Sequence, residues 1–340
     1  MISNCRPVGT GLLLVLTTLA SLAGDVARTN HAGRTLGAIP EISKPVMFNT
    51  PEADAICAAM QIFPKDNAWN EDVSQRPVLP QSEKMIERIG KDKTLAYNLD
   101  MCFVIVPAKQ PAVPVKLTKY PAESDAGPYP VPSIAPIEGW PVQGGALEQV
   151  QTSGQGDRHV IVVDPVNKRL YEFWEGFKKP AGWEASNEAT FDLSGNKLRP
   201  NGWTSSDAAG LPIFPAVVRY DEVERGMVEH ALRFTVRQTR REYIYPATHF
   251  ASRNTDAILS AMGQRFRLKA SANLTGLSKH PLAIARALQK YGMIVADNGG
   301  DWRISVAPDQ RIKGLDELRR FKGSDFEVIA TTGEHELPRH

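Results

Sequence analysis

The sequence predicts a mainly β fold: sandwich or jelly-roll-like antiparallel sheets with a few short helices. Three observations carry that expectation. Apolar runs of strand length recur from residue 101 to residue 306, turns rich in glycine and proline separate them, and only one segment holds helical spacing for three turns. No internal repeat of solenoid or propeller length interrupts the pattern.

Residues 24–60 are weakly patterned and are expected to form a leader or linker ahead of one β-rich domain over 61–335. Phe63 to Asn70 opens that domain. A short helix is expected from Ser82, with Met85, Ile86 and Ile89 on one side and Gly90 as its stop. Residues 101–106 (MCFVIV) form a continuous apolar run suited to a sheet interior. Nine prolines between Pro107 and Pro141 exclude a central strand or long helix there, leaving an ordered irregular excursion or an edge strand with long loops.

The clearest local signal is a hairpin. Residues 158–163 (RHVIVV) and 168–174 (KRLYEFW) flank Asp164-Pro165-Val166-Asn167, where Asn167 tolerates a left-handed conformation. With Asp164 opposite Lys168, Glu172 shares a face with Val160, Val162, Leu170 and Trp174. Further strands are expected at 188–193, 213–219, 227–237, 243–247, 265–271, 292–296 and 302–306. The longer helix should run from Pro281 to Tyr291, with Leu282, Ala285 and Leu288 on one face and Gly292 ending it. A second short helix is expected over 315–321.

The amino terminus has the layout of a secretory signal. Arg6 precedes an uncharged run, GLLLVLTTLASL at 11–22, and small residues at Ser21 and Ala23 suit cleavage after Ala23. The expected product is a soluble secreted or periplasmic protein, with no membrane association once residues 1–23 are removed. Cys57 and Cys102 are then the only cysteines, and spacing alone leaves their pairing open. Hydrophobic residues at 42% and charged residues at 23% are globular values, and a net charge of +2 without basic blocks argues against a nucleic-acid partner.

No P-loop, G-x-G-x-x-G, H-E-x-x-H, G-x-S-x-G or EF-hand pattern occurs, so no cofactor or metal is expected. Candidate chemistry rests on polar residues in or beside apolar strands. Glu172, desolvated by its neighbours, should have a raised pKa and could serve as a general acid, or else be a buried structural carboxylate. His230 alternates with Val228, Leu232, Phe234 and Val236, as a base beside a cleft or as a core histidine bonded to a carbonyl. Ser205-Ser206-Asp207 reads as a capped turn carrying a carboxylate. Arg219 to Gly226 places Glu222 among several charges on a turn. Trp203 on a polar loop suits stacking on a sugar ring or plugging a core, and His249, Arg253 and residues 297–300 are further polar loop ends.

Several stretches resemble a family of secreted bacterial proteins. They are residues 203–213 (WTSSDAAGLPI), 219–223 (RYDEV), 230–235 (HALRFT), 291–299 (YGMIVADNG), Pro64 to Asn70 and the Gly156-Asp157-Arg158-His159 strand start. The resemblance covers roughly residues 62–328, departs at Ser206 where alanine is expected, and implies export and a one-domain extent without specifying a reaction.

The functional expectation is a secreted protein acting on a polysaccharide or cell-envelope glycan, as a glycoside hydrolase or polysaccharide lyase. Its catalytic candidates are Glu172, His230, Asp207 and Glu222; its substrate-binding candidates are Trp203, Arg219, Arg233 and His249. The alternative is a non-catalytic envelope or carbohydrate-binding protein.

Overall fold

The hairpin expected at 158–174 forms, one residue out of register. In the computed structural model, which describes residues 1–2 and 28–330, strands Val160–Asp164 and Arg169–Trp174 pair with Asp164 opposite Arg169 and Ile161 opposite Glu172. The cause is the turn. Lys168, not Asn167, takes the left-handed conformation at φ 55°, and Asn167 N–H donates to Asp164 Oδ1 at 2.9 Å. The loop gains one residue, and a one-residue slip exchanges the faces of the partner strand. Glu172 therefore sits with Ile161, Val163 and Leu170, while Val160 and Val162 face the opposite side with Phe173.

This hairpin is the centre of a five-stranded sheet, in the order Val46–Met47, Val104–Ile105, Val160–Asp164, Arg169–Trp174, Asn187–Asp192. A six-stranded sheet follows the order Phe326–Val328, Arg265–Leu268, Met293–Asn298, Leu232–Val236, Arg303–Val306, Ala96–Leu99. Strand content is 24% against 19% helix, so the chain is β-rich with few helices. The sheets are not purely antiparallel. Val104–Ile105 runs parallel to Val160–Asp164, Leu232–Val236 parallel to Met293–Asn298, and Arg303–Val306 parallel to Ala96–Leu99.

One large hydrophobic cluster extends from Ile42 to Val328 and fills the space between the six-stranded sheet, the helices and one face of the hairpin. The proline-rich excursion covers the other face. Tyr129, Val131, Ala135 and Ile137 pack on Val160, Val162 and Phe173, and Val115–Leu117 pairs with Gly182–Ala185 in a small edge sheet. Prolines that cannot donate to a ladder thus cap a sheet face with side chains instead.

Residues 28–60 are not a leader, and that expectation is corrected. Val46–Met47 pairs with Val104–Ile105, helix Pro51–Ala59 carries buried Ile56 and Cys57, and Leu36, Ile42 and Phe48 are buried. Side-chain bonds hold the segment where periodicity is weak. Arg34 Nη1 donates to the Ala58 carbonyl at 2.8 Å, and Thr50 Oγ1 caps the helix by accepting from Ala53 N–H. Residues 3–27 and 331–340 lie outside the described residues, including nearly all of the expected signal segment. No described helix is long and apolar enough to cross a membrane. Cys57 and Cys102 are both buried free thiols.

The helices over 82–89 and 279–290 form close to expectation, as Ser82–Ile89 and Lys279–Lys290, and Leu315–Arg320 is a 3-10 helix. Residues 213–219 are not a strand, because Phe214–Ala216 makes a 3-10 turn whose amide groups serve Glu172. The strand expected over 227–237 shortens to Leu232–Val236, and the one over 243–247 gives way to Thr239–Tyr243.

Candidate active site

Loop 199–212 is held from both ends. Arg199 is buried and donates to the Thr204 carbonyl at 2.8 Å, the Glu123 carbonyl at 2.7 Å and Asp125 Oδ2 at 2.6 Å. Ser205 Oγ accepts from Asp207 N–H at 2.9 Å and donates to the Leu211 carbonyl at 2.6 Å, so Ser205-Ser206-Asp207 is a capped turn. Gly210 closes the loop at φ 72°, where a Cβ would stand 2.0 Å from Thr248 Oγ1. Only glycine fits there without displacement.

Two ion pairs lie beneath this loop, one fully buried and one joining a buried histidine to a half-buried carboxylate. Asp207 receives Arg233 Nη2 on Oδ1 at 2.7 Å and Nε on Oδ2 at 2.8 Å, a bidentate pair with both groups buried. Arg233 also donates to Ser305 Oγ, which donates on to Asp100 Oδ2 at 3.4 Å. Desolvation pushes the Asp100 carboxyl up to about 7, against the pull of Arg233. The second pair is His159 with Glu138. Burial alone would lower the imidazole pKa, but the Glu138 charge and hydrogen bond raise it to about 10. Both ring nitrogens therefore donate: Nδ1 to Glu138 Oε2 at 3.0 Å and Nε2 to the Ser206 carbonyl at 2.9 Å. A cationic histidine thus anchors the loop from below.

Above the loop lies a cleft of about 290 Å³. Its floor is Thr204 to Ser206, and Trp174 and Tyr120 line its rim with ring centroids 6.0 Å apart. Asp157 joins the same rim, exposed, and accepts from Trp174 Nε1 at 3.2 Å. Opposite chemistry comes from the end of strand Met293–Asn298. Pairing with Leu232–Val236 shifts by one between Phe234 and Thr235, so Asp297 pairs with Thr235 on the face that carries Arg233. Strict alternation would have put Asp297 with Met293 and Val295 in the core; the bulge redirects it. Burial and the neighbouring Asp207 carboxylate push the Asp297 carboxyl up to about 7. His249 completes the set. Its Nδ1 donates to the Ala208 carbonyl at 2.7 Å, so in the neutral ring Nε2 carries the lone pair.

The expected site residues separate into distinct places. Of them, only His249 lines the cleft. Glu172 is buried and accepts three amide bonds from Ile213 and Phe214 at 2.8–3.0 Å. Desolvation raises its carboxyl to about 7 even so. Glu222, Arg219 and His230 form a separate buried cluster. Arg219 Nη2 donates to Glu222 Oε1, and His230 Nε2 lies 3.0 Å from the same carboxylate while Nδ1 donates to the Ala231 carbonyl at 2.8 Å. Burial would raise Glu222, but Arg219 and His230 hold it down at about 2. Trp203 packs beside Arg199, its ring centroid 5.5 Å from the guanidinium.

The groups that do line the cleft were only partly visible in sequence. Residues 297–300 stood out as a polar loop end, Trp174 was assigned only to a buried sheet face, and Asp157 appeared only as the start of a strand. No protein-family model, curated protein or solved structure matches the chain, so the chemistry of the cleft rests on its own geometry.

Proposed function

We propose that the protein is an exported glycoside hydrolase acting on a polysaccharide, with Asp297 as general acid and Asp157 as the second carboxylate. The observation that carries this reading is that both carboxyls line one cleft under an aromatic rim, while burial and the Asp207 charge push the Asp297 carboxyl up to about 7. Two carboxyls on one cleft are the minimum for hydrolysis of a glycosidic bond. Aromatic rings suit the apolar faces of sugars, and the polar lining at Asp157, His249 and Asn298 suits their rims. Export, read from residues 11–23, supplies a compartment where glycans occur.

In the proposed step the Asp297 proton passes to the glycosidic oxygen as the bond from that oxygen to the anomeric carbon breaks. Water attacks the anomeric carbon and gives a proton to Asp157, so one water is added across the bond. Asp207 acts through Asp297 as a positioning residue, since its charge keeps the acid protonated. An elimination reading draws on His249, whose Nε2 is free to remove a proton beside a uronate. The two differ in product, because elimination leaves a double bond that absorbs in the ultraviolet.

The test is turnover of neutral and uronate-containing glycans by the wild type and by Asp297→Asn. The variant is expected to keep its fold and to lose about a hundredfold in kcat. Wild-type activity should fall as pH rises through about 7, where the acid loses its proton. Binding of a glycan without turnover would overturn the hydrolase reading in favour of a carbohydrate-binding protein. Full activity in Asp297→Asn would remove Asp297 from the mechanism.

A further inference from the structure

A second cavity, of about 220 Å³, shares Asp157 with the first as a lining residue. It is predominantly polar in character: Glu138, Gln143, Ser153 and Gln155 line it, together with the half-buried ring of Trp140. Trp140 Nε1 donates to the Gly145 carbonyl at 3.3 Å, fixing the indole. Each cavity therefore pairs an aromatic side chain with hydrogen-bonding groups, and a carboxylate stands at their junction.

The junction is rigid. The neighbour of Asp157, Arg158, is buried and sits at φ 50°. Its guanidinium donates to the carbonyls of Val150 at 2.7 Å, Ser153 at 2.8 Å and Gly176 at 3.1 Å. Glu175 N–H donates to the Asp157 carbonyl at 2.7 Å. The exposed glycine-bearing loop 153–157 is thus tied from beneath, and Asp157 is held by the bond at its own carbonyl and by the anchored side chain of Arg158.

We infer that the substrate is a linear glycan chain lying across Asp157, with sugar units in both cavities, so that internal bonds are cut. This rests on the hydrolase reading above and adds to it the substrate class and the direction of the chain. A site for a terminal unit would close beyond the carboxylate. Here a second polar, tryptophan-bearing cavity opens beyond it.

Cello-, chito- and galacturono-oligosaccharides of two to six units, given to the wild type, Trp140→Ala and Gln143→Ala, provide the test. On the ladder that the enzyme cleaves, wild-type kcat/KM should rise with chain length, and internal bonds should be cut first. In Trp140→Ala the ratio of kcat/KM for six units to that for two should fall about tenfold, the order of one aromatic contact. Gln143→Ala, an exposed truncation, should move the ratio the same way by less. Thermal unfolding of each variant separates this from loss of fold. Cleavage with no dependence on length, or release of terminal units only, would overturn the chain-crossing inference and leave the hydrolase reading standing. Failure of every ladder to bind or react would overturn both.

Discussion

Asp207→Ala is expected to destabilise the protein by about 3–5 kcal/mol, because it leaves Arg233 as an unpaired cation in the interior. Arg233 is 3% exposed and spends both bonds of its bidentate contact on Asp207. Its remaining side-chain partner is neutral Ser305. Asp100 and Asp297 stand close enough to feel the guanidinium, so part of the lost charge will be recovered by their ionisation. That compensation has its own signature. With Asp207 gone, the carboxylate that raises Asp297 is absent, and the alkaline fall in activity should move to lower pH. Urea unfolding gives the stability change, and a double replacement by Asp207→Leu with Arg233→Met should regain much of it. A loss below about 1 kcal/mol in the single variant would show that the pair is not the buried contact described above.

The second large effect is a pH dependence centred on Glu188. This side chain is fully buried, accepts from Thr190 Oγ1 at 2.7 Å through one oxygen, and has no partner for the other. Desolvation pushes its carboxyl from 4.5 up to about 9. The folded state therefore holds a proton that the unfolded chain releases, and the stability this group contributes is fully present below pH 4.5 and is lost as pH rises to about 9. At about 1.4 kcal/mol for each pH unit, the loss is on the order of 6 kcal/mol. His159 works in the same direction between pH 6.5 and about 10, since its folded state also retains the proton. Glu188→Gln mimics the neutral acid and should be markedly more stable than the wild type at pH 9 and nearly equal to it at pH 4. Parallel curves of Tm against pH for the two proteins would defeat the assignment.

Much of the frame was legible because it follows periodicity. The hairpin, the helices ending at Gly90 and near Gly292, and the inward faces of Leu232, Phe234 and Val236 all come from side chains alternating or recurring at fixed spacing. What was not legible depends on single-residue irregularities. Lys168 rather than Asn167 took the left-handed turn position, which reversed the neighbours of Glu172. The bulge beside Phe234 and Thr235 carried Asp297 out of the core face. Residues 28–60 have no periodic face because arginine-to-carbonyl bonds and edge pairing hold them.

The candidate site shows the same limit. Burial of Glu172 and His230 was legible, since each alternates with strong apolar residues, whereas Asp207 and Glu222 stand on stretches that read as polar turns and are buried all the same. The meaning of that burial was not legible, because a sequence shows a carboxylate but not the amide or guanidinium that occupies it. Glu172 is consumed by Ile213 and Phe214, and Glu222 by Arg219 and His230, all contacts set by loop geometry. Asp157 carried no hydrophobic neighbourhood to mark it, and its position depends on an arginine clamp visible only in three dimensions.

The segment over 28–60 also fixes an order of events. Asn30 Nδ2 bonds Glu229 Oε2, 199 residues further along, and Asp54 bonds Arg311, 257 residues further along. In a chain that folds as it emerges, Asn30 and Asp54 wait for partners 199 and 257 residues behind them. Closing such distant contacts is slow. A fragment cut between Glu229 and Arg311 keeps the bond to Asn30 and loses the ion pair to Asp54.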